Sequence, residues 1–122
     1  MEGEKKVNEP SLAYLSLYVA DVQASRRFYE ERLGLSVIAS HDWGVVVDAG
    51  SVRLMLQPRD SSRPAQHVEM TFDVDDADMV VSGLEEAGVA VIERVTDRSW
   101  GDRDGAVSDP DGNVVYLRTA SP

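Results

Sequence analysis

Two stretches of the chain alternate between apolar and polar residues with the period of a β-strand. In the first, over residues 12–20, Leu15, Leu17 and Val19 share one side, and in the second, over residues 67–74, Met70 and Phe72 do the same. Each stretch is followed by a helical period, over residues 21–33 and 76–87, that ends immediately before a glycine. The pattern therefore predicts a strand followed by a helix in each half of the chain.

Three β-rich runs follow each predicted helix, separated by short polar or glycine-containing turns. They cover residues 35–40, 43–48 and 51–57 in the first half, and residues 89–96, 105–108 and 113–119 in the second. The order strand, helix, strand, strand, strand thus occurs twice. It predicts an α+β fold of two βαβββ modules, residues 11–58 and 66–120, within one domain. We expect residues 1–10 to form a disordered tail and the polar residues 59–65 to form a linker.

The composition is that of a globular domain with a strong negative charge. The chain has 122 residues, of which 43% are hydrophobic and 28% charged, and its formal net charge is −10. This charge repels phosphate backbones, so we expect no nucleic-acid partner; it favours either a cationic ligand or merely solubility. The start of the chain is charged and no apolar stretch has the length of a membrane span, which predicts a cytoplasmic protein without membrane association. The absence of cysteine excludes thiolate chemistry and disulfides.

Several short motifs resemble the vicinal oxygen chelate superfamily, which contains glyoxalases, extradiol dioxygenases and bleomycin-resistance proteins. They are YVADV at 18–22, FY at 28–29, LGL at 33–35 and DPDGN at 109–113. The resemblance covers residues 12–119, and the pair Trp100-Gly101 is similar to the bleomycin-resistance branch. It implies that the two sheets curve into an open, barrel-like cleft and that the protein is a homodimer. Whether the cleft lies within one chain or between two stays open.

The strand alternation also predicts which side chains face the cleft. If the apolar sides cover the helices, the opposite sides face inward. These residues are Tyr14, Ser16, Tyr18, Arg53, Met55, Gln57, Glu69, Thr71, Asp73, Val114, Tyr116 and Arg118. We expect Trp100 to contact a ligand, whereas Trp43 is either a ligand contact or a core or dimer-interface residue. The predicted wall is polar and aromatic, which suits ligand recognition better than core filling.

The resemblance places metal ligands of related enzymes at the positions of Tyr14, Met55, Glu69 and Tyr116. Only Glu69 is an ordinary ligand for a hard or borderline cation, so we predict no metal and no other cofactor. His41 and His67 have no partner at metal-ligand spacing. Two roles stay open for the acidic residues Glu69 and Asp73: acid-base chemistry, or ion pairs with Arg53 or Arg118 across the cleft.

These features together predict a metal-free protein that binds a small molecule. We expect it to sequester a planar aromatic compound, neutral or cationic, such as an antibiotic, and we assign no catalytic residue. The predicted ligand-binding residues are Tyr14, Tyr18, Trp43, Arg53, Met55, Glu69, Thr71, Asp73, Trp100, Tyr116 and Arg118. The alternative is a metal-dependent lyase, isomerase or dioxygenase of the same superfamily.

Overall fold

The computed structural model describes residues 10–61 and 67–120, so nearly all of the predicted tail and most of the predicted linker lie outside the described residues. Module 1 contains β1 (Tyr14–Val19), α1 (Val22–Arg26), β2 (Ser36–His41), β3 (Gly44–Asp48) and β4 (Arg53–Pro58). Module 2 contains β5 (Glu69–Asp73), α2 (Ala77–Glu86), β6 (Val91–Asp97), β7 (Arg103–Ser108) and β8 (Val114–Thr119). The fold is α+β, with the predicted order of elements in both modules.

Each module forms an open sheet of four strands. The strand order is β1-β4-β3-β2 in module 1 and β5-β8-β7-β6 in module 2. In both sheets the first and last strands of the module pair in parallel, and the other pairs are antiparallel. The strands β1, β2, β5 and β6 are therefore edges of their sheets. Neither sheet closes on itself within the described chain.

The helices cover the apolar side of each sheet, as the alternation predicts. Leu17, Val19 and Leu56 of module 1 are almost inaccessible to solvent, as are Val115 and Leu117 of module 2. Burial of each such side chain stabilises the fold by about 1.5–3 kcal/mol. The opposite side of each sheet is left free to form a binding surface.

The first helix differs from the regular α-helix predicted over residues 21–33. Asp21 caps it by accepting hydrogen bonds from the backbone of Gln23 and Ala24, but beyond Arg26 the chain continues as a π-helical segment, Arg27–Arg32. A π-turn holds more residues than an α-turn, so neighbouring side chains diverge less in direction. Phe28 and Tyr29 consequently both reach the core, where their rings meet edge to face at 4.8 Å. None of the helices in the described ranges has the length and apolar character needed to cross a bilayer.

A buried carboxylate joins the two modules. Asp109, in the turn between β7 and β8, accepts a hydrogen bond from the Tyr29 hydroxyl of module 1 at 2.7 Å. Asp109 also accepts from the Asn113 side chain at 2.8 Å and from the backbone N–H groups of Asp111 and Asn113 at 2.9 and 2.8 Å. Burial and the neighbouring carboxylate raise the pKa of Tyr29, so its hydroxyl remains a donor. In the same turn Asp111 accepts from the backbone N–H of Ala20 at 2.9 Å. We call residues 109–113 the Asp109 turn.

Candidate functional site

The free side of the module 1 sheet forms a largely apolar concavity of about 480 Å³. It is lined by Tyr14, Ile38, Ala39, His41, Trp43, Val46, Arg53 and Met55. Tyr14 and Arg53 are direct register partners on β1 and β4, so their side chains share this face. The rings of His41 and Trp43 stack at 4.8 Å with an interplanar angle of 15°. We call this surface the module 1 concavity.

The free side of the module 2 sheet forms a second, acidic concavity of about 390 Å³. It is lined by Glu69, Thr71, Glu93, Arg98, Trp100, Asp104 and Tyr116. The Arg98 guanidinium donates to Glu93 at 2.8 Å and to Asp104 at 2.7 Å, which joins β6 to β7. With three carboxylates and one guanidinium in its lining, this module 2 concavity differs in charge from the module 1 concavity.

Hydrogen bonding also shifts the pKa values of two groups in the module 2 concavity, Glu93 and Tyr116. The Tyr116 hydroxyl donates to Glu93 at 2.7 Å. This bond and that from Arg98 hold the pKa of Glu93 below its ordinary value. The bond to Glu93, together with desolvation, raises the pKa of Tyr116 to about 12. At neutral pH Tyr116 is therefore a neutral donor and Glu93 a carboxylate that is already paired.

The Trp100 side chain lies at the edge of the module 2 concavity on a short loop, residues 98–102, between β6 and β7. Backbone hydrogen bonds from Arg98 to Asp102 at 2.8 Å and from Gly101 to Arg98 at 3.0 Å close this loop. The Arg98 guanidinium carbon lies 5.9 Å from the centre of the indole ring, within the range of a cation–π contact. Yet 67% of Trp100 is exposed. The loop is fixed while the ring face is available to a ligand.

Within one chain, the structure places the predicted site residues on two surfaces, one on each sheet. Tyr14, Trp43, Arg53 and Met55 line the module 1 concavity, and Glu69, Thr71, Trp100 and Tyr116 line the module 2 concavity. The predicted aromatic residues are therefore divided as well, with Tyr14 and Trp43 on one surface and Trp100 and Tyr116 on the other. Trp43, which is 43% exposed, is not a core residue.

The remaining predicted site residues line neither concavity. Tyr18, Asp73 and Arg118 lie on the same sheet faces as the others, toward the ends of their strands. Arg118 donates to both carboxylate oxygens of Asp73, at 2.6 and 3.0 Å, so this pair forms the ion pair that the sequence left open. The alternative pairing of Glu69 with Arg53 does not occur within the described residues.

Sequence reasoning missed the lining residues on the two edge strands that follow the helices. These are Ile38, Ala39 and His41 on β2 and Glu93 on β6. Sequence reasoning also missed Val46 on β3, Asp104 on β7 and Arg98 in the loop between β6 and β7. The pairing register shifts between Val37 and Ala39, and again between Val91 and Glu93. A bulge interrupts the alternation of side chains along a strand. The apolar-polar period of the sequence therefore does not show which side of the sheet these residues face. A usable signal was the repeated Trp-Gly pair, Trp43-Gly44 and Trp100-Gly101, because each tryptophan lies shortly before the third strand of its module.

The residues at the four positions that bind metal in related enzymes do not suit a metal ion. Tyr14 and Met55 lie in one concavity, and Glu69 and Tyr116 lie in the other. A thioether is a soft ligand, and a hydroxyl with a pKa of about 12 that donates to Glu93 is a poor one. Across residues 10–61 and 67–120, no group of three or more His, Cys, Asp or Glu side chains is arranged to hold a metal ion.

Comparison with known proteins gives one family and a consistent set of structural neighbours. Residues 11–117 match the sequence model of the Glyoxalase/Bleomycin resistance protein/Dioxygenase superfamily. TnmS3, an antibiotic binding protein from Streptomyces sp. CB03234, superposes with a TM-score of 0.78 and 27% identity, covering 93% of this chain and 98% of that one.

A glyoxalase/bleomycin resistance protein from the same Streptomyces gives a TM-score of 0.71 at 29% identity, covering 89% of this chain and 100% of that one. A superfamily member from Sphaerobacter thermophilus DSM 20745 gives 0.78 at 20% identity, covering 92% and 98%, and shows likeness of fold alone. No curated protein sequence matches the chain.

Proposed function

Because the chain belongs to the glyoxalase/bleomycin resistance protein/dioxygenase superfamily, we propose that it sequesters a planar aromatic compound, such as an antibiotic, without a metal ion. The observation that carries this proposal is the pair of exposed tryptophans at the two concavities. Trp43 is stacked on His41, and the Arg98 guanidinium lies 5.9 Å from the Trp100 ring, so each exposed ring already has a partner within the chain. A rigid, exposed aromatic ring binds a flat ligand at small entropic cost. The similarity to TnmS3, an antibiotic binding protein, supports the same class of function.

The protonation of Glu93 and Tyr116 suits these two groups to binding a ligand better than to acid-base catalysis. A general base works best when its pKa lies near the operating pH. The pKa of Glu93 is instead lowered by hydrogen bonds from Tyr116 and Arg98, and the pKa of Tyr116 is raised to about 12. Both groups are therefore poor proton carriers at neutral pH and good fixed partners for a ligand.

The proposal is tested by binding and turnover measured on the same protein. Tryptophan fluorescence is titrated with bithiazole, quinone and phenazine compounds, while methylglyoxal with glutathione, and catechol, are supplied as substrates. We expect saturable quenching by at least one planar compound and no turnover. Turnover of either substrate would favour the metal-dependent enzyme as the function.

We expect the purified protein to hold no stoichiometric divalent ion. The donor set of Tyr14, Met55, Glu69 and Tyr116 contains one ordinary ligand, so a chelator should leave the melting temperature unchanged. Elemental analysis and thermal melts with and without a chelator measure this. About one zinc, iron, manganese or nickel ion per chain, lost together with stability on chelation, would contradict it.

We also propose that the protein is a homodimer in which a second copy completes the site. Each chain presents two open concavities and, within residues 10–61 and 67–120, four strands that pair with another strand on one side only; such edges are usually paired or covered. Light scattering at micromolar concentration should give about twice the chain mass of 13.4 kDa. A single species of 13.4 kDa would contradict the proposed homodimer.

A further inference from the structure

The strand registers allow the two concavities to be compared position by position. Ser16 pairs with Met55 in module 1, and Thr71 pairs with Tyr116 in module 2. When Met55 is matched to Tyr116, Arg53 corresponds to Val114 of β8. Arg53 is the only charged residue of β4. The same concave geometry is therefore built twice with different chemistry.

At three matched positions in the lining, module 2 carries a negative charge that module 1 lacks. Glu69 stands where module 1 has Tyr14, and Glu93 stands where module 1 has Ala39. Asp104 likewise replaces Gly44. The positions that are carboxylates in module 2 are thus uncharged in module 1. Only the module 1 concavity has a guanidinium without acidic residues in its lining.

Arg53 is also unusual among the arginines of the two concave faces. Arg98 is held by two carboxylates, and Arg118 donates to Asp73 and Asp102. In the part of the chain that the structure describes, the Arg53 side chain makes no hydrogen bond or ion pair; its backbone N–H is bonded to Ala13 at 3.0 Å. Its neighbour across the sheet, Asp48, instead accepts from the backbone of Gly50 at 2.9 Å. The chain has 22 acidic residues and only 12 Lys and Arg, yet no described acidic side chain pairs with the Arg53 guanidinium. Its N–H donors are therefore available to a ligand.

We propose that the module 1 concavity binds an aromatic group bearing a carboxylate or another oxyanion, with Arg53 as the partner of the anion. This inference rests on the proposed function and specifies the chemistry of one end of the ligand. The stacked Trp43 and His41 and the neighbouring Tyr14 contact the ring. A guanidinium binds a planar oxyanion through two parallel N–H donors. A ligand that covers the guanidinium without offering a hydrogen-bond acceptor binds less favourably, because the charged group loses its hydration.

The module 2 concavity is unsuited to bind the anion. Arg98 there is occupied by Glu93 and Asp104, and Glu69 adds a further negative charge. An anionic ligand should therefore select module 1, although both modules offer an exposed tryptophan.

The experiment uses the full-length protein and three probes that share one ring: 2-naphthoate, 2-naphthamide and 2-naphthylmethylammonium. The chain has two tryptophans, so an NMR spectrum of ¹⁵N-labelled protein contains two indole N–H signals, assigned with Trp43→Phe and Trp100→Phe. We expect 2-naphthoate to move the Trp43 signal and to bind about tenfold or more tightly than the amide by calorimetry. In Arg53→Gln this preference should disappear, and in Arg53→Lys, which keeps the charge without the paired donors, it should be partly retained.

The matched control is Arg27→Gln, which removes the same charge from an exposed position on the π-helical segment, away from both concavities. It should bind 2-naphthoate like the unmodified protein, and thermal melts should show that all variants are folded. A preference for 2-naphthoate that survives in Arg53→Gln, or a response confined to Trp100, would overturn the inference while leaving the proposed function in place. If the dimer of Arg53→Gln dissociates while the preference for 2-naphthoate over the amide is unchanged, Arg53 belongs to the dimer interface. This result would also overturn the inference. If neither these probes nor the bithiazole, quinone and phenazine compounds bind, the proposed function itself is wrong.

Discussion

Replacing Trp100 by alanine is expected to weaken the binding of a planar aromatic ligand by about tenfold or more. A stacked aromatic side chain buries about 150–250 Å² and adds about 0.5–1.5 kcal/mol beyond that burial, whereas an exposed ion pair contributes about 0–1 kcal/mol. Because the Trp100 loop is already closed by its own hydrogen bonds, little ordering cost reduces this gain. Fluorescence of the remaining tryptophan or calorimetry measures the change.

The control for this prediction is Met79→Ala. Met79 is 70% exposed on α2, outside both concavities, so its removal tests the loss of an equally accessible apolar side chain. Asp102→Asn is a poor control, because Asp102 belongs to the Trp100 loop and accepts a hydrogen bond from Arg118 at 3.3 Å. Tyr116→Ala should also weaken binding, while Tyr116→Phe separates the ring from the hydroxyl that holds Glu93. Unchanged affinity in Trp100→Ala would place the ligand elsewhere.

Replacing Asp109 by alanine is expected to lower the free energy of unfolding by about 3–5 kcal/mol. The carboxylate is buried and accepts four hydrogen bonds, from Tyr29, from Asp111 and twice from Asn113. Its removal leaves these donors without a partner, and each buried unsatisfied donor costs about 1–3 kcal/mol unless water reaches it. Urea unfolding followed by circular dichroism measures the loss.

Two further variants distinguish the stability contributed by the contact between the modules from that contributed by the hydrogen bonds within the Asp109 turn. Tyr29→Phe removes one donor of the four and should cost about 1–3 kcal/mol, since it affects only the link from module 1. Asp75→Ala, at an exposed position before α2, should change stability by less than about 0.5 kcal/mol. An Asp109→Ala protein as stable as the Asp75→Ala protein would show that the Asp109 turn does not hold the modules together.

The sequence by itself determined the repeated order of elements and the buried side of each sheet. Side chains on a strand alternate between its two faces, so the apolar positions of β1, β4, β5 and β8 identify the core without knowledge of the neighbouring strands. Asp21 was readable as a helix cap, and the Asp109 turn as a turn, because both depend on residues only a few positions apart. Most of the lining residues on these four strands follow from the same alternation.

Only the tertiary structure decided how the site residues are grouped. The division into an apolar and an acidic concavity depends on which sheet each residue joins. The bulges after Val37 and Val91 turn Ala39 and Glu93 toward the concave faces. The pairing of Arg98 with Glu93 and Asp104, and the lack of a described partner for Arg53, likewise result from strands that meet in space. Periodicity describes one strand at a time, whereas charge pairing and concavity are properties of several strands packed together, and so the chemistry of the two surfaces became visible only in the fold.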